Sequence, residues 1–166
     1  MNRPILNIDE LQFHPWGHGE RFEARMAAIG SKIGAQKLGY NLTVLAPGKR
    51  AFPFHSHRVN EEMFFILEGE GEVRIGAARH PLRAGDVLAC PPGGPETAHQ
   101  IANTSKTAEL KVLAVSTKLS PEIAEYPDSG KFGVLGEFPP GADGKPQVLR
   151  FISRTQASTE DYWAGE

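Results

Sequence analysis

The sequence predicts an all-β sandwich or barrel, and three observations carry that reading. Short apolar or alternating runs follow one another from Leu38 to Val115, with Gly, Pro, Asn or Asp turns between them. The 166 residues include 18 glycines and 13 prolines, above ordinary usage but short of the disordered range. No Gly-rich phosphate loop follows a strand and opens a helix, and no repeat recurs at a fixed period.

In chain order, residues 1 to about 20 read as irregular, because Pro4, Pro15, Gly17 and Gly19 break any helix. Phe22 to Ile29 is compatible with a strand or a short helix. Leu38 to Ala46 is a strand: Leu38, Tyr40, Leu42 and Val44 alternate with Gly39, Asn41, Thr43 and Leu45 until Pro47-Gly48 turns the chain. Strands are expected at Phe52–His57, Glu62–Leu67 and Glu72–Ile75. Gly69 and Gly71 supply positive φ in the EGEGE turn. Ala84-Gly85-Asp86 is a turn, Val87–Cys90 a strand, the 91–95 segment a loop, and Thr97–Ala102 and Leu110–Val115 the last strands. Beyond Ser120 the chain is rich in turn residues, with Val148–Ile152 able to add one edge strand and Asp161-Tyr162-Trp163 either fraying or packing as a hook.

Length and composition bound the class. One domain is expected over 1–166: a barrel core at about 38–118, an N-terminal arm (1–37) and a C-terminal extension (119–166). A chain of this length buries about 70% of its unfolded surface. Apolar residues at 40%, charged residues at 23% and a net charge of -2 are ordinary soluble balance, without the basic clusters a nucleic-acid partner needs. No apolar run approaches the ~20 residues of a bilayer span, and the opening MNRPILNIDELQF lacks the apolar stretch of a secretory signal. The single cysteine, Cys90, allows no internal disulfide and predicts a reducing cytoplasm, where it is a small buried side chain rather than a nucleophile.

The chemistry lies in the histidines. His55 and His57 are two apart on a predicted strand, so their imidazoles project from one face. Arg58 to Glu61 can turn the chain, after which Glu62, Phe64 and Ile66 share a face. Glu61 competes with Glu62 for the carboxylate role, and the alternation favours Glu62. His99 reaches the same interior if a small barrel closes. Three imidazoles and a carboxylate suit Mn, Fe, Co, Ni, Cu or Zn rather than Ca or Mg. His14 and His18 read as loop residues and His80 as a solvated turn residue.

The stretch GKRAFPFHSHRVNEEMFFILEG (48–69) resembles the first cupin motif: Gly, HxH, four residues, Glu, six residues, Gly. GDVLACPPGGPETAHQIAN (85–103) resembles the second: Gly, five residues, Pro-x-Gly, a gap, His, three residues, Asn. Two departures stand out. Gly48 to His55 is one residue longer than usual, and Gly93 to His99 is three longer, adding Pro95 and Glu96. The resemblance, over about Leu38 to Val115, implies a double-stranded β-helix (jelly-roll barrel) in which His55, His57, Glu62 and His99 hold one divalent transition metal. The apolar run Met63–Leu67 needs cover on its outward face, from the N-terminal arm or a second subunit, and cupin dimers favour the second.

The whole chain also resembles small bacterial single-domain cupins, some of them likened to sugar-phosphate isomerases. The resemblance implies a metal-binding protein of the cytoplasm acting on a small polar substrate, as an isomerase or epimerase of a sugar or sugar phosphate. Alternatives are a metal-dependent dioxygenase and a non-catalytic small-molecule-binding module. A homodimer is expected, with no nucleic-acid or membrane partner. Tyr40, Phe64 and Ile66 are expected at the substrate pocket. Tyr40, Tyr126, Glu96 and Lys131 are candidates for a general base, and Arg50, Arg58 and Lys131 for the cation a phosphate needs.

Overall fold

A computed structural model describes residues 4–154 and Trp163. The chain folds into two facing antiparallel β layers. The first layer contains β1 (His14–His18), β2 (Phe22–Ala28), β3 (Leu38–Leu45), β5 (Glu62–Glu68), β8 (Val87–Cys90) and β10 (Leu110–Thr117), in the spatial order β1-β2-β3-β10-β5-β8. The second layer has two parts. One is β7 (Ala78–Arg83), β6 (Glu70–Ile75) and β9 (His99–Ala102); the other is β4 (Ser56–His57), β11 (Glu122–Tyr126), β12 (Lys131–Phe138) and β13 (Gln147–Arg154). A bridge between His55 and His99 joins the two parts. The order of strands is that of a jelly-roll barrel, with the connections crossing between layers rather than running around one sheet.

The space between the layers is filled by alternate residues of both. Leu45, Phe64, Ile66, Val112 and Ala114 from the first layer meet Val73 and Leu82 from the second. Ile66 has no exposed surface, and its burial is worth roughly 1.5–3 kcal/mol. The register fixes which residues point inward: Asn41, Ala114 and Phe64 lie in one row of paired residues, and Tyr40, Val115 and Met63 in the next. Successive rows face opposite ways. The outer face carries Leu42, Leu67 and Leu113 and is covered by Leu6, Leu11 and Phe13 of the N-terminal segment and by Ile33 of a one-turn helix, α1 (Gly30–Ile33). Cover for Leu67 therefore comes from the arm of the same chain. No helix among the described residues is long and apolar enough to cross a membrane.

Several expectations are corrected. Residues 14–18 form a strand, not a loop, because β1 is an edge strand and Pro15 costs little where no inner ladder bond is lost. The undecided Phe22–Ile29 segment is strand β2. The strand expected over Phe52–His57 shrinks to Ser56–His57. His80 lies in β7, opposite Val73, rather than in a turn. The extension forms three strands instead of one. Gly69 has φ +88, as the turn requires; Gly71 does not have positive φ, and is glycine because a Cβ there would lie 2.5 Å from the Ala102 carbonyl oxygen. Other turns match expectation: Gly85 has φ +94, and Asp86 Oδ2 accepts from Arg83 N at 2.8 Å. Asn103 is buried and clamps the turn after β9, donating to Leu45 O and Ala108 O at 3.1 and 2.8 Å. Of the terminal Asp161-Tyr162-Trp163, the first two lie outside the described residues, and Trp163 is exposed.

Candidate metal centre

Four side chains from three strands and one loop converge between the layers. His57 ends β4, Glu62 opens β5, His99 opens β9, and His55 precedes β4. One ligand atom from each of the four lies within 4.8 Å of the others. The three Nε2 atoms surround one carboxylate oxygen, Glu62 Oε2: His99 at 2.9 Å, His57 at 3.3 Å and His55 at 3.8 Å. Atoms sharing one ion at the roughly 2.0–2.2 Å bond lengths of a first-row metal have such spacings.

Local structure orients each ring. His55 Nδ1 donates to the Pro53 carbonyl at 2.8 Å and His99 Nδ1 to the Thr97 carbonyl at 3.4 Å. A carbonyl only accepts, so both protons sit on Nδ1 and both Nε2 lone pairs face the cluster. His57 differs. Both of its ring nitrogens are buried without a hydrogen-bond partner among the described residues. Buried polar atoms are rarely left so, and an ion at Nε2 supplies the missing partner. The donor set and this orphaned imidazole fit a divalent transition metal.

Electrostatics separate the groups. Burial, reinforced by the neighbouring His99, pushes the His55 imidazole down to about 4. Burial opposes charge on His57 as well, but the carboxylates of Glu62 and Glu122 outweigh it and raise its pKa. Glu62 is buried too, yet His57 and His99 hold its carboxyl well below the usual carboxylate range. Near neutral pH the cluster therefore offers an ionised carboxylate and a neutral His55, the forms that ligate.

Of the residues expected at a pocket, Phe64 faces the cluster, its ring 5.6 Å from that of His99. Ile66 points the same way but lies deeper, in the closed core. Tyr40 is not brought to the cluster: it packs on the outer face with Leu42 and Ile29. The expectation for Tyr40 had the phase of β3 reversed. Among the other base candidates, Tyr126 stacks on His55 with ring centroids 6.1 Å apart, and Lys131 Nζ lies 5.7 Å from the Tyr126 ring. Glu96 sits on an exposed loop, and the Gly94 N–H at 2.8 Å lowers its pKa, which weakens it as a base. Arg58 is engaged with Glu125 at 2.8 Å, and Glu61 is exposed. Cys90 pairs with Glu62 across β8–β5; burial, then the charge of Glu62, pushes its thiol up to about 12.

Among the described residues, several spaces adjoin the cluster, and three of them reach its imidazoles. A groove of about 260 Å³ is lined by Trp16, Phe52, Pro53, His55, Tyr126, Lys131 and Ile152. Trp16 is fixed there by donating its indole N–H to Ala51 O at 2.9 Å. A second groove, about 220 Å³, touches His57 and Glu62 and carries Ser116, Lys118 and Glu137 on its walls. Inside the barrel, an apolar cavity of about 30 Å³ abuts His55, His99 and Phe64.

The residue that sequence reasoning missed is Glu122. It is 7% exposed on β11 and faces His57 Nδ1 at 3.6 Å. No local signal marks it, since an acidic residue opening a strand in a polar tail reads as solvent-facing.

Residues 41–116 match the family model described as a cupin domain. Among solved structures, a sugar phosphate isomerase of the cupin superfamily from Silicibacter pomeroyi superposes with a TM-score of 0.74 at 24% identity, over 96% of this chain and 98% of that one. A predicted oxalate decarboxylase from Thermotoga maritima gives 0.59 at 26% identity, over 69% of this chain and 99% of that one. An uncharacterized protein of Methanocaldococcus jannaschii is 34% identical over 62 residues, 37% of this chain. The match spans 46% of the length of that relative.

Proposed function

The chain belongs to the cupin superfamily, and on that footing we propose that it is a metal-dependent isomerase or epimerase of a small polyhydroxylated substrate, a sugar or sugar phosphate. The observation that carries the reading is the convergence of His55, His57, Glu62 and His99 on one point. These four residues would hold a single divalent ion, one of Mn, Fe, Co, Ni, Cu or Zn. The chemistry such an ion supplies is Lewis acidity, which lowers the cost of negative charge developing on a substrate oxygen. The shared fold with the Silicibacter protein makes sugar phosphates the first compounds to assay.

The chain's own residues supply the rest. The backbone carbonyls of Pro53 and Thr97 hold two imidazoles in the ligating tautomer. Phe64 excludes water from the inner side of the cluster. Lys131 has no carboxylate partner among the described residues and offers a positive charge to an anionic substituent beside Tyr126.

A second reading, dioxygenation, is favoured by one feature: the apolar cavity behind His55 and His99 suits a small nonpolar molecule such as oxygen. Elemental analysis of protein purified without added metal, followed by assays on sugar phosphates under air and under nitrogen, separates the readings. Isomerisation predicts equal turnover in both atmospheres; turnover only in air overturns it. His57→Ala is expected to lose most of the metal while keeping its far-UV circular dichroism. Unchanged metal content in that variant refutes the ligand assignment.

A second copy of the chain is the proposed partner. The β12–β13 ribbon exposes Leu135, Phe138, Val148, Leu149, Phe151 and Ile152, and a hairpin wet on both faces is marginal in isolation.

A further inference from the structure

We infer that Glu122, from the C-terminal extension, is a positioning residue of the metal centre: it stands as the acceptor facing the Nδ1–H of His57 and holds the turn that aims His57 and Glu62 at a common point. The inference rests on the metal-centre reading above and concerns a residue beyond the 41–116 segment that matches the cupin domain.

The carboxylate of Glu122 is buried, and among the described residues no lysine or arginine lies within 4 Å of it. Instead it gathers backbone N–H groups. Oε1 accepts from Arg58 N at 3.1 Å, Val59 N at 3.2 Å and Ile123 N at 2.8 Å, and Oε2 from Asn60 N at 2.8 Å and from the Asn60 side-chain amide. Apart from that of Ile123, these amides belong to the 58–60 turn, the link between the last residue of β4 and the first of β5. The two ends of that link are His57 and Glu62. Asn60 is fixed in turn, accepting from Thr117 Oγ1 at 2.8 Å and from Leu119 N at 2.7 Å.

The same Oε2 faces His57 Nδ1 at 3.6 Å. When a neutral imidazole commits Nε2 to an ion, its proton sits on Nδ1 and needs an acceptor. His55 and His99 have backbone carbonyls for this purpose. His57 has none among the described residues and faces a carboxylate instead, which raises the basicity of the ring more than a carbonyl does. The ligand set is therefore asymmetric, with His57 the strongest imidazole donor. The extension completes the centre rather than merely flanking it.

The test uses the full chain loaded with Co(II), read by competition with a chelator and by proton NMR of the paramagnetically shifted, exchangeable imidazole N–H signals. Glu122→Gln keeps the size of the side chain but removes the charge and presents an amide N–H₂ to one set of donors. Its Co(II) affinity is expected to fall roughly 10- to 100-fold with loss or displacement of one shifted N–H signal, whereas Thr117→Val, which loosens Asn60 without touching the carboxylate, should stay within about twofold of wild type. Glu122→Asp, which retains the charge but withdraws it from the ring, should fall between them, and it serves as the reading variant if Glu122→Gln does not fold. Wild-type affinity and an unchanged N–H spectrum in the Glu122 variants overturn the inference. An equal loss in Thr117→Val overturns the role of Glu122 toward the His57 ring, leaving it the turn alone. Failure of the wild-type protein to bind Co(II) overturns the metal-centre reading itself.

Discussion

His55 and His99, 44 residues apart in the chain, exchange both of their backbone hydrogen bonds. His55 N donates to His99 O at 3.2 Å, His99 N donates to His55 O at 2.8 Å, and the rings lie 4.7 Å apart. It is one of two isolated bridges that β9 makes, among the described residues, to the segment leading into β4, the other pairing Arg50 with Ala102. The stitch that joins the two parts of the second layer therefore also places two of the four candidate ligands.

Because the cluster is part of that seam, acid should loosen the metal-free protein. The His55 pKa falls from 6.5 to about 4 on folding, so its contribution is present above pH 6.5 and is lost as pH drops toward 4. Glu62 has the same sign, with its loss starting only below its unfolded value of 4.5. His57 has the opposite sign: its raised pKa contributes below 6.5 and is lost as pH rises through the folded value. His55 alone is worth up to roughly 3 kcal/mol across its window, offset in part by His57. Thermal melts of chelator-treated protein from pH 7 to pH 4.5 should show Tm falling by several degrees. His55→Ala, less stable at pH 7, should show a flatter acid limb. An acid limb as steep as wild type in that variant counts against this account.

Cys90 is expected to be inert. Its thiol is buried and its pKa stands at about 12, so at pH 8 almost none of it is thiolate. Reaction with a disulfide reagent at pH 8 should be at least about 100-fold slower in the folded protein than in denaturant. Comparable rates in the two states would contradict the burial of Cys90.

The exposed β12–β13 ribbon predicts self-association. Phe151 and Ile152 are 46% and 54% exposed, and on a strand they face opposite ways. If a second copy covers this ribbon, light scattering at micromolar concentration should give twice the mass of the chain, and Phe151→Lys with Ile152→Lys should give a monomer that keeps its metal content. A wild-type protein that is monomeric throughout excludes the proposed dimer.

Much of the fold was legible because alternation in short strands is a local property. Val87–Cys90 and the turn at Gly85-Asp86 were read as they stand, and the spacing of His55, His57 and Glu62 on successive strands pointed to one interior. The edge strand His14–His18 was hidden by Pro15 and Gly17, which argue against structure locally but are tolerated at the rim of a sheet. Two of the three strands of the extension, β11 and β12, were hidden because they are polar-punctuated, and Glu122, its one buried acid among the described residues, gains its meaning from amides more than 60 residues away.

The order of residues by itself determined a succession of short β-strands carrying a histidine and carboxylate set whose motif spacing resembles that of cupins, since period-two patterning and motif spacing are written along the backbone. Only the tertiary structure decided which way each strand faces. Tyr40, Leu42 and Val44 look inward by hydrophobicity, yet the inner face of β3 takes Asn41, Thr43 and Leu45, because the N-terminal segment gives the other face apolar cover of its own. Alternation fixes that two faces exist; which one is buried against the site depends on what the rest of the chain lays on the other.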